Sequence, residues 1–421
     1  MLSPRHEESV NRPARARGPA AAVFSLLAIV GCSEGLPGGA AFPPGTAAVH
    51  GSVPSRSVTK AYEFLRLMMD EYATGSTRRL VRSYANGKLK TLPDAFSYDD
   101  ALLIDAMLAA TPDDIARAKV VGNAFLYVQA YDPAGDGRVR AAYGPKPLKS
   151  PCDIKVDGSA SDLGDNAWVG QALVQLYAKT SDAAYLKGAL EIATWIQKNT
   201  YDTRGSGGYT GGYTSGGEKI KWKSTEHNID TYAFFTMLAT ESGERRWTSR
   251  ASWAKRFVAS MWSERAGRFY VGTLNDGVTP NKPFKPEDVN SWSYLAFQNP
   301  AWATAPSWDV THLAASKSGF SGVSFCSGDR SGVWFEGTAH LADALELRNQ
   351  SGDQSLAQTY LDDIKYAQTN GRNADGLGII AASINGLSDC DGDKYFASLH
   401  VGATAWYIMS TSGADPFVIL P

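Results

Sequence analysis

The sequence predicts an all-α protein, an (α/α)6 toroid of six helical hairpins with an inner ring of parallel helices inside an outer ring. Three observations carry this expectation. Apolar residues recur at helical spacing through twelve segments, with no convincing run of alternating strand residues between them. The segments alternate in character: one is rich in Ala, Leu and aromatics on several faces, the next carries a clear polar stripe. Gly and Pro cluster between the segments and seldom fall inside them.

Taken in order, the chain begins with Arg12, Arg15 and Arg17 ahead of an apolar run, residues 20–31, that ends at Cys32. Residues 1–31 read as an export signal, since the run is shorter than the roughly 20 residues a membrane-spanning helix needs. Ile29-Val30-Gly31-Cys32 resembles a bacterial lipobox. That resemblance implies a lipid on Cys32, which becomes the mature N-terminus, and a lipoprotein of the outer membrane or periplasm, secreted if Cys32 stays bare. Residues 32–56, rich in Gly, Pro, Ala and Ser, read as a flexible tether. Residues 57–421 read as a single domain.

Helices are expected at 57–72, 98–109, 112–130, 163–179, 183–198 and 226–240. They continue at 246–263, 288–297, 308–316, 332–348, 354–369 and 396–409. Those starting at 98, 163, 226, 288, 332 and 396 are apolar nearly all round, as buried helices are. The others are half-exposed partners. Starts of the inner helices recur one hairpin apart, as repeat architecture requires. Long loops at 131–162, 201–223, 266–287, 319–331 and 373–395 lead from outer to inner helices, so they gather on the face where the inner N-termini open. They are rich in Gly, Pro and aromatics, as cleft-forming loops tend to be.

Composition narrows the function. The 421 residues are 43% hydrophobic and 11% aromatic with a net charge of −2, a globular chain with ample core material. No basic field points to nucleic acid. The 11 Trp and 19 Tyr pack cores and also stack on sugar rings. Beyond Cys32 remain Cys152, Cys326 and Cys390. An oxidising compartment permits one disulfide among them, and Cys326 with Cys390 is the preferred pair because both lie in loops shortly before successive helices. No CxxC or His/Cys ligand spacing calls for zinc. Asp389-Cys390-Asp391-Gly392-Asp393 lacks the twelfth-position acid of a calcium loop and reads as a turn. No cofactor or metal is expected, and nothing demands more than a monomer.

The inner helices begin with a pattern. Tyr98-Asp99-Asp100, Asp165-Asn166-Ala167-Trp168, Glu226-His227-Asn228-Ile229-Asp230, Asp288-Val289-Asn290-Ser291-Trp292 and Trp334-Phe335-Glu336-Gly337 are followed by His400-Val401-Gly402. One acid at a helix start is explained by capping. Five acidic starts opening on one face raise one another's pKa, which equips one carboxyl as an acid and another as a base.

Alternating helices with acids and aromatics at the inner N-termini resemble the six-hairpin glycosidase superfamily. The likeness is carried by Leu163-Gly164-Asp165-Asn166-Ala167-Trp168, by Trp334-Phe335-Glu336-Gly337-Thr338-Ala339 and by His400-Val401-Gly402-Ala403-Thr404-Ala405-Trp406. It spans nearly the whole expected domain. Its relatives include glucanases, unsaturated glucuronyl hydrolases, sugar epimerases and polysaccharide lyases, so it implies a carbohydrate substrate more firmly than a reaction.

The leading expectation is a glycoside hydrolase with paired carboxylates. Glu336, between Phe335 and Gly337 and just after Trp334, is the expected acid, because aromatic neighbours desolvate it. Glu226, Asp230 or Asp165 supplies the base. Glu226 and Asp230 lie four residues apart on one helix face, preceded by the Gly-rich loop 204–217. Asp100, Trp168, Trp222, Asn228, Trp334 and His400 are expected to bind substrate. Each has a plainer reading as well: a capping carboxylate, a core aromatic or a hydrogen-bonded structural imidazole. A lyase or epimerase on the same ring, or a carbohydrate-binding lipoprotein without turnover, are the alternatives.

Overall fold

A computed structural model describes residues 55–421. The export signal, Cys32 and nearly all of the tether lie outside the described residues. Within them run α1 (Arg56–Asp70), α2 (Ser97–Leu108), α3 (Pro112–Ala130), α4 (Leu163–Thr180), α5 (Ala183–Asn199) and α6 (Thr225–Ser242). Then come α7 (Arg245–Ser260), α8 (Asp288–Phe297), α9 (Thr304–His312), α10 (Phe335–Arg348), α11 (Asp353–Asn370) and α12 (Val401–Ser412).

The fold is the all-α toroid. Its inner ring closes in the order α2, α4, α6, α8, α10, α12 and back to α2. The outer helices α3, α5, α7, α9 and α11 pack on the inner helices that precede them, and α1 packs on α12. The sixth hairpin therefore joins the first described helix to the last, fastening the ring. Side-chain character sorts the layers: α2 and α12 are buried along almost their whole length, whereas α1 buries a stripe at Val58, Ala61, Leu65 and Met68–Met69.

Side chains cap the starts of three inner helices, α4, α6 and α12. Asp162 accepts the Asp165 amide at the head of α4, and Ser224 accepts the His227 amide at the head of α6. At their other ends α4, α6, α8, α10 and α12 stop on left-handed residues: Ser181, Gly243, Gln298, Asn349 and Gly413. Those ends lead into short turns, so the long connections all lie on the face of the inner N-termini.

Two expectations need correction. The segment expected as helix 308–316 is α9 at Thr304–His312, followed by a hairpin pairing Ala314–Lys317 with Phe320–Val323. Its turn places Ser318 and Gly319 at positive φ, a two-residue connection that suits strands. The loops also contain further short strands, such as Ser161–Asp162 paired with Gly212–Tyr213. They zip the long loops together above the ring. The last inner helix starts at Val401 rather than 396, because Ile380 and Leu399 pair in extended form just before it.

The far end of the toroid is filled by the chain's own tail. Phe417 meets Trp168, Trp292 and Trp406 at ring distances of 5.3, 5.5 and 6.4 Å. Gln175 fixes this tail by donating to the Val418 carbonyl and accepting from the Leu420 amide. The axis is thus a packed floor of aromatics with a cleft above it.

Candidate active site

Above that floor lies a cavity of about 370 Å3 lined by residues from the heads of all six inner helices. Among them are Asp99, Asp165, Glu226, Asp288, Glu336 and His400. Helix dipoles favour anions there, but burial and mutual repulsion oppose ionisation. The outcome differs from one carboxyl to the next.

Glu336, buried in the first turn of α10, sits at the centre of a polar chain. Tyr98 Oη donates to its Oε1 at 2.8 Å and accepts from Trp406 Nε1 at 2.9 Å. On the other side His400 Nδ1 lies 3.3 Å from Glu336 Oε2, and His400 Nε2 lies 3.1 Å from Asp99 Oδ2. Burial alone would pull the His400 pKa down; Asp99 and Glu336 outweigh it and raise it to about 10. The two carboxylates thus favour the charged ring, while the Ala403 amide, which points at Nδ1 from 3.2 Å, favours the neutral one. Tyr84 stacks on the imidazole at 4.3 Å, and burial keeps the Tyr98 phenol protonated as a donor.

Gly402 makes this meeting possible. A Cβ there would come within 2.5 Å of Asp99 Oδ1 and 3.2 Å of Glu336 Oε2. Gly164 does the same for α4, where a Cβ would lie 2.8 Å from His227 Cδ2.

Across the cavity is a second group of acids. Burial, Asp288 and Asp162 push the Glu226 carboxyl well above the usual range, and Glu336 adds to the effect. Burial and the adjacent Asp162 do the same to Asp165. Both carboxyls are thus held toward the protonated form, whereas Glu336 accepts from Tyr98 and lies against His400. The arrangement pairs an acid with an acceptor, the division of labour that acid/base chemistry requires.

Behind Glu336 stands a buried pair. His340 Nδ1 lies 3.1 Å from Glu287 Oε2, and His340 Nε2 lies 3.9 Å from Glu336 Oε1. Burial holds the His340 pKa well below its ordinary value, so the ring is neutral. Burial, reinforced by Asp309, raises that of Glu287.

Of the residues singled out in the sequence, Glu336, Glu226, Asp165, Trp168, Trp222, Trp334 and His400 all line the cavity. Three do not. Asp230 is fully buried one turn below Glu226, where burial and Glu226 raise its pKa and the ring wall closes over it. Asp100 accepts the Val81 amide with both oxygens, at 3.1 and 3.2 Å. Consecutive helix residues face different sides, so the cavity takes Asp99 and the wall takes Asp100. Asn228 clamps the 204–217 loop by bonding the Tyr209 amide and carbonyl, each at 2.9 Å. Cys326 and Cys390 form a disulfide beside the cavity, Cys152 is free and exposed, and Cys32 lies outside the described residues.

Sequence reasoning chose Asp100 over Asp99 and gave no role to Tyr98, Asp162 or the Glu287–His340 pair. The signal for Asp99 was present in the Asp99-Asp100 doublet, where one of the two had to face the axis. Asp391 and Asp393, read only as part of a turn, reach the cavity rim; the turn itself is held by Asp389, which accepts the amides of residues 391, 392 and 393.

The architecture defines the class of fold, an (α/α)6 toroid, and solved structures share that fold. Cellobiose 2-epimerase from Bacillus thermoamylovorans superimposes with a TM-score of 0.65 at 10% identity, over 84% of this chain and 97% of that one. A D-mannose isomerase gives 0.62 at 10% identity, over 87% and 99%. A family 76 glycoside hydrolase, a mannosidase from Bacteroides thetaiotaomicron, gives 0.57 at 13% identity, over 86% and 98%. At such identities the likeness is one of fold. No protein-family model matches the sequence, and neither does any curated protein.

Proposed function

We propose that the chain is an exported glycoside hydrolase in which Glu226 is the general acid and Glu336 the base or nucleophile. These roles invert the sequence expectation, in which Glu336 was the acid. The observation that carries the reading is the contrast between the two carboxyls on one cavity. Glu226 is pushed toward the protonated form by burial and its acidic neighbours. Glu336 accepts from Tyr98 and faces His400. Hydrolysis needs that contrast: one carboxyl protonates the leaving oxygen while the other activates water or attacks the anomeric carbon. Asp165 is a second acid in the same lining, and Trp222, half-buried there, offers a face for a sugar ring. The structural neighbours named as mannosidase, epimerase and isomerase support a carbohydrate substrate.

A second reading, epimerisation, rests on the two imidazoles in the cavity, His227 and His400. Proton abstraction from carbon requires an unprotonated base, a neutral imidazole or a carboxylate, and the raised pKa of His400, about 10, weighs against that ring in the role. Mass spectrometry of products from neutral oligosaccharides separates the readings. Hydrolysis gives fragments whose masses sum to substrate plus water, and this is the expected result. A new isomer of unchanged mass, resolved from the substrate by chromatography or NMR, would establish epimerisation, and an unsaturated fragment from a matched uronate oligosaccharide would establish a lyase.

Export and lipidation belong to the same proposal. The Cys326–Cys390 disulfide supports an oxidising compartment. Incorporation of labelled palmitate, lost in Cys32→Ala, is the expected outcome in the producing bacterium; equal labelling of both forms would contradict it.

A further inference from the structure

The cavity's charge speaks to the substrate more narrowly than the fold does. Among the described residues, ten acidic side chains line it against Lys223, His227 and His400, with no arginine. Lys223 is already committed. Its ammonium donates to the carbonyls of Arg204 at 2.7 Å and Gly207 at 2.8 Å and lies 3.1 Å from Asp202, and its side chain has no exposed surface. His400 is likewise held between Asp99 and Glu336. Sugar carboxylates and sulfates are bound by guanidinium or ammonium groups that have donors to spare, and neither lining cation has that role. His227, at the head of α6 beside Glu226, is the only other basic side chain in the lining.

The acids are spread around the whole wall. Asp94, Asp157, Asp162, Asp288, Asp391 and Asp393 join Asp99 and Glu336 in the lining; Asp157 is ion-paired with Lys155 at 2.6 Å, and Glu226 and Asp165 are held toward the neutral form. A cleft lined by one sign of charge with low-dielectric walls focuses its field on whatever enters. The floor adds no charge: Trp168 and Trp292 are almost wholly buried indoles, 1% and 3% exposed, packed on one another and on Phe417.

Resting on the carbohydrate reading above, we infer that the sugar seated in this cavity carries no anionic substituent. The substrates are glycans of neutral or amino sugars, and uronates, sulfated sugars and sugar phosphates are turned away. Rejection comes from like charges without a compensating donor, which is how a site discriminates against a partner of the same shape. An ammonium on the ring meets the opposite condition and is accommodated at least as well as a hydroxyl.

The test uses oligosaccharides matched in linkage and differing in one substituent. β-1,4-glucan, chitosan and β-1,4-glucuronan tetrasaccharides form one set, and mannan and mannuronan tetrasaccharides form another. Each is titrated against the purified chain at low salt, followed by fluorescence of the cavity tryptophans and by product release. In every set that binds, the carboxylate member is expected to bind at least tenfold more weakly than the neutral one. The chitosan member should bind no more weakly than the glucan, and the gap to the uronate should shrink as salt is raised. A uronate bound or cleaved as well as its neutral counterpart would overturn the inference while leaving the carbohydrate reading intact. If no member of any set binds, the carbohydrate reading fails and this inference with it.

Discussion

Gly402 decides how closely Asp99, His400 and Glu336 can meet, since any Cβ would lie 2.5 Å from the Asp99 carboxylate. Gly402→Ala should cost about 1–3 kcal/mol, the usual range for overpacking, and should lower turnover by more than tenfold, as read by denaturation and by activity on the same preparation. The charge on His400 gives a sharper test. Its pKa is raised from 6.5 to about 10, so its contribution to stability is fully present below about pH 6.5 and is lost as pH rises through about 10. An imidazole NMR signal for His400 that does not titrate between about pH 5 and 8 is expected. In Asp99→Asn the midpoint should move down into that window, and the fall in Tm relative to wild type should vanish above about pH 10. A wild-type His400 titrating near its ordinary pKa would contradict the ion pair. At this scale the sequence revealed residue types better than orientations. Glu336, Glu226 and Asp165 could be read from their positions at helix heads. Asp99 against Asp100 could not, because the choice depends on the rotation of α2 about its axis, which tertiary packing sets. His340 was hidden for a related reason: it lies one turn inside α10, and only the ring brings Glu287 to it.

The elements followed local chemistry closely, and the exceptions have local causes. The start of the hairpin after α9 was read as the end of a helix because Ala314 and Ala315 are good helix formers, yet Ser318-Gly319 at positive φ turns the chain back. The C-terminal tail after α12 carried no periodicity, so its role as the floor of the ring was invisible before the structure. Phe417→Ala should lower stability by about 3–5 kcal/mol, as for other buried Phe truncations, and weaken binding at the cavity through the tryptophans it supports. The same tail carries Asp415, whose pKa burial raises to about 7. A raised acid contributes stability that is complete below its unfolded pKa, about 4, and is lost as pH rises through about 7. Asp415→Asn keeps an acceptor for the Phe417 amide and should flatten the decline in Tm between about pH 4 and 7. An unchanged slope would show that Asp415 does not titrate as a buried group.

For the whole molecule, the alternation of apolar and amphipathic helices was enough to identify the toroid, because a ring of six buried helices needs six half-buried covers. What closes the ring, α1 on α12, is a contact between distant parts of the chain that no local pattern records. Loop architecture was legible only as length and composition, since the short strands that join the loops pair residues far apart in sequence. One such tie is covalent: Cys326–Cys390 spans 64 residues and fastens two cavity loops. Cys390→Ser should cost about 2–4 kcal/mol and lower activity before it unfolds the ring, measured by circular dichroism beside turnover. The central claim, that Glu226 and Glu336 act as an acid/base pair on a glycan, is most directly tested by reducing-end release. Wild type, Glu226→Gln and Glu336→Gln are compared on one neutral oligosaccharide. Both variants should keep the wild-type fold and sugar binding while turnover falls by at least about 100-fold, the lower end of what a positioned acid or base contributes. Turnover within a few-fold of wild type in either variant would contradict the assignment.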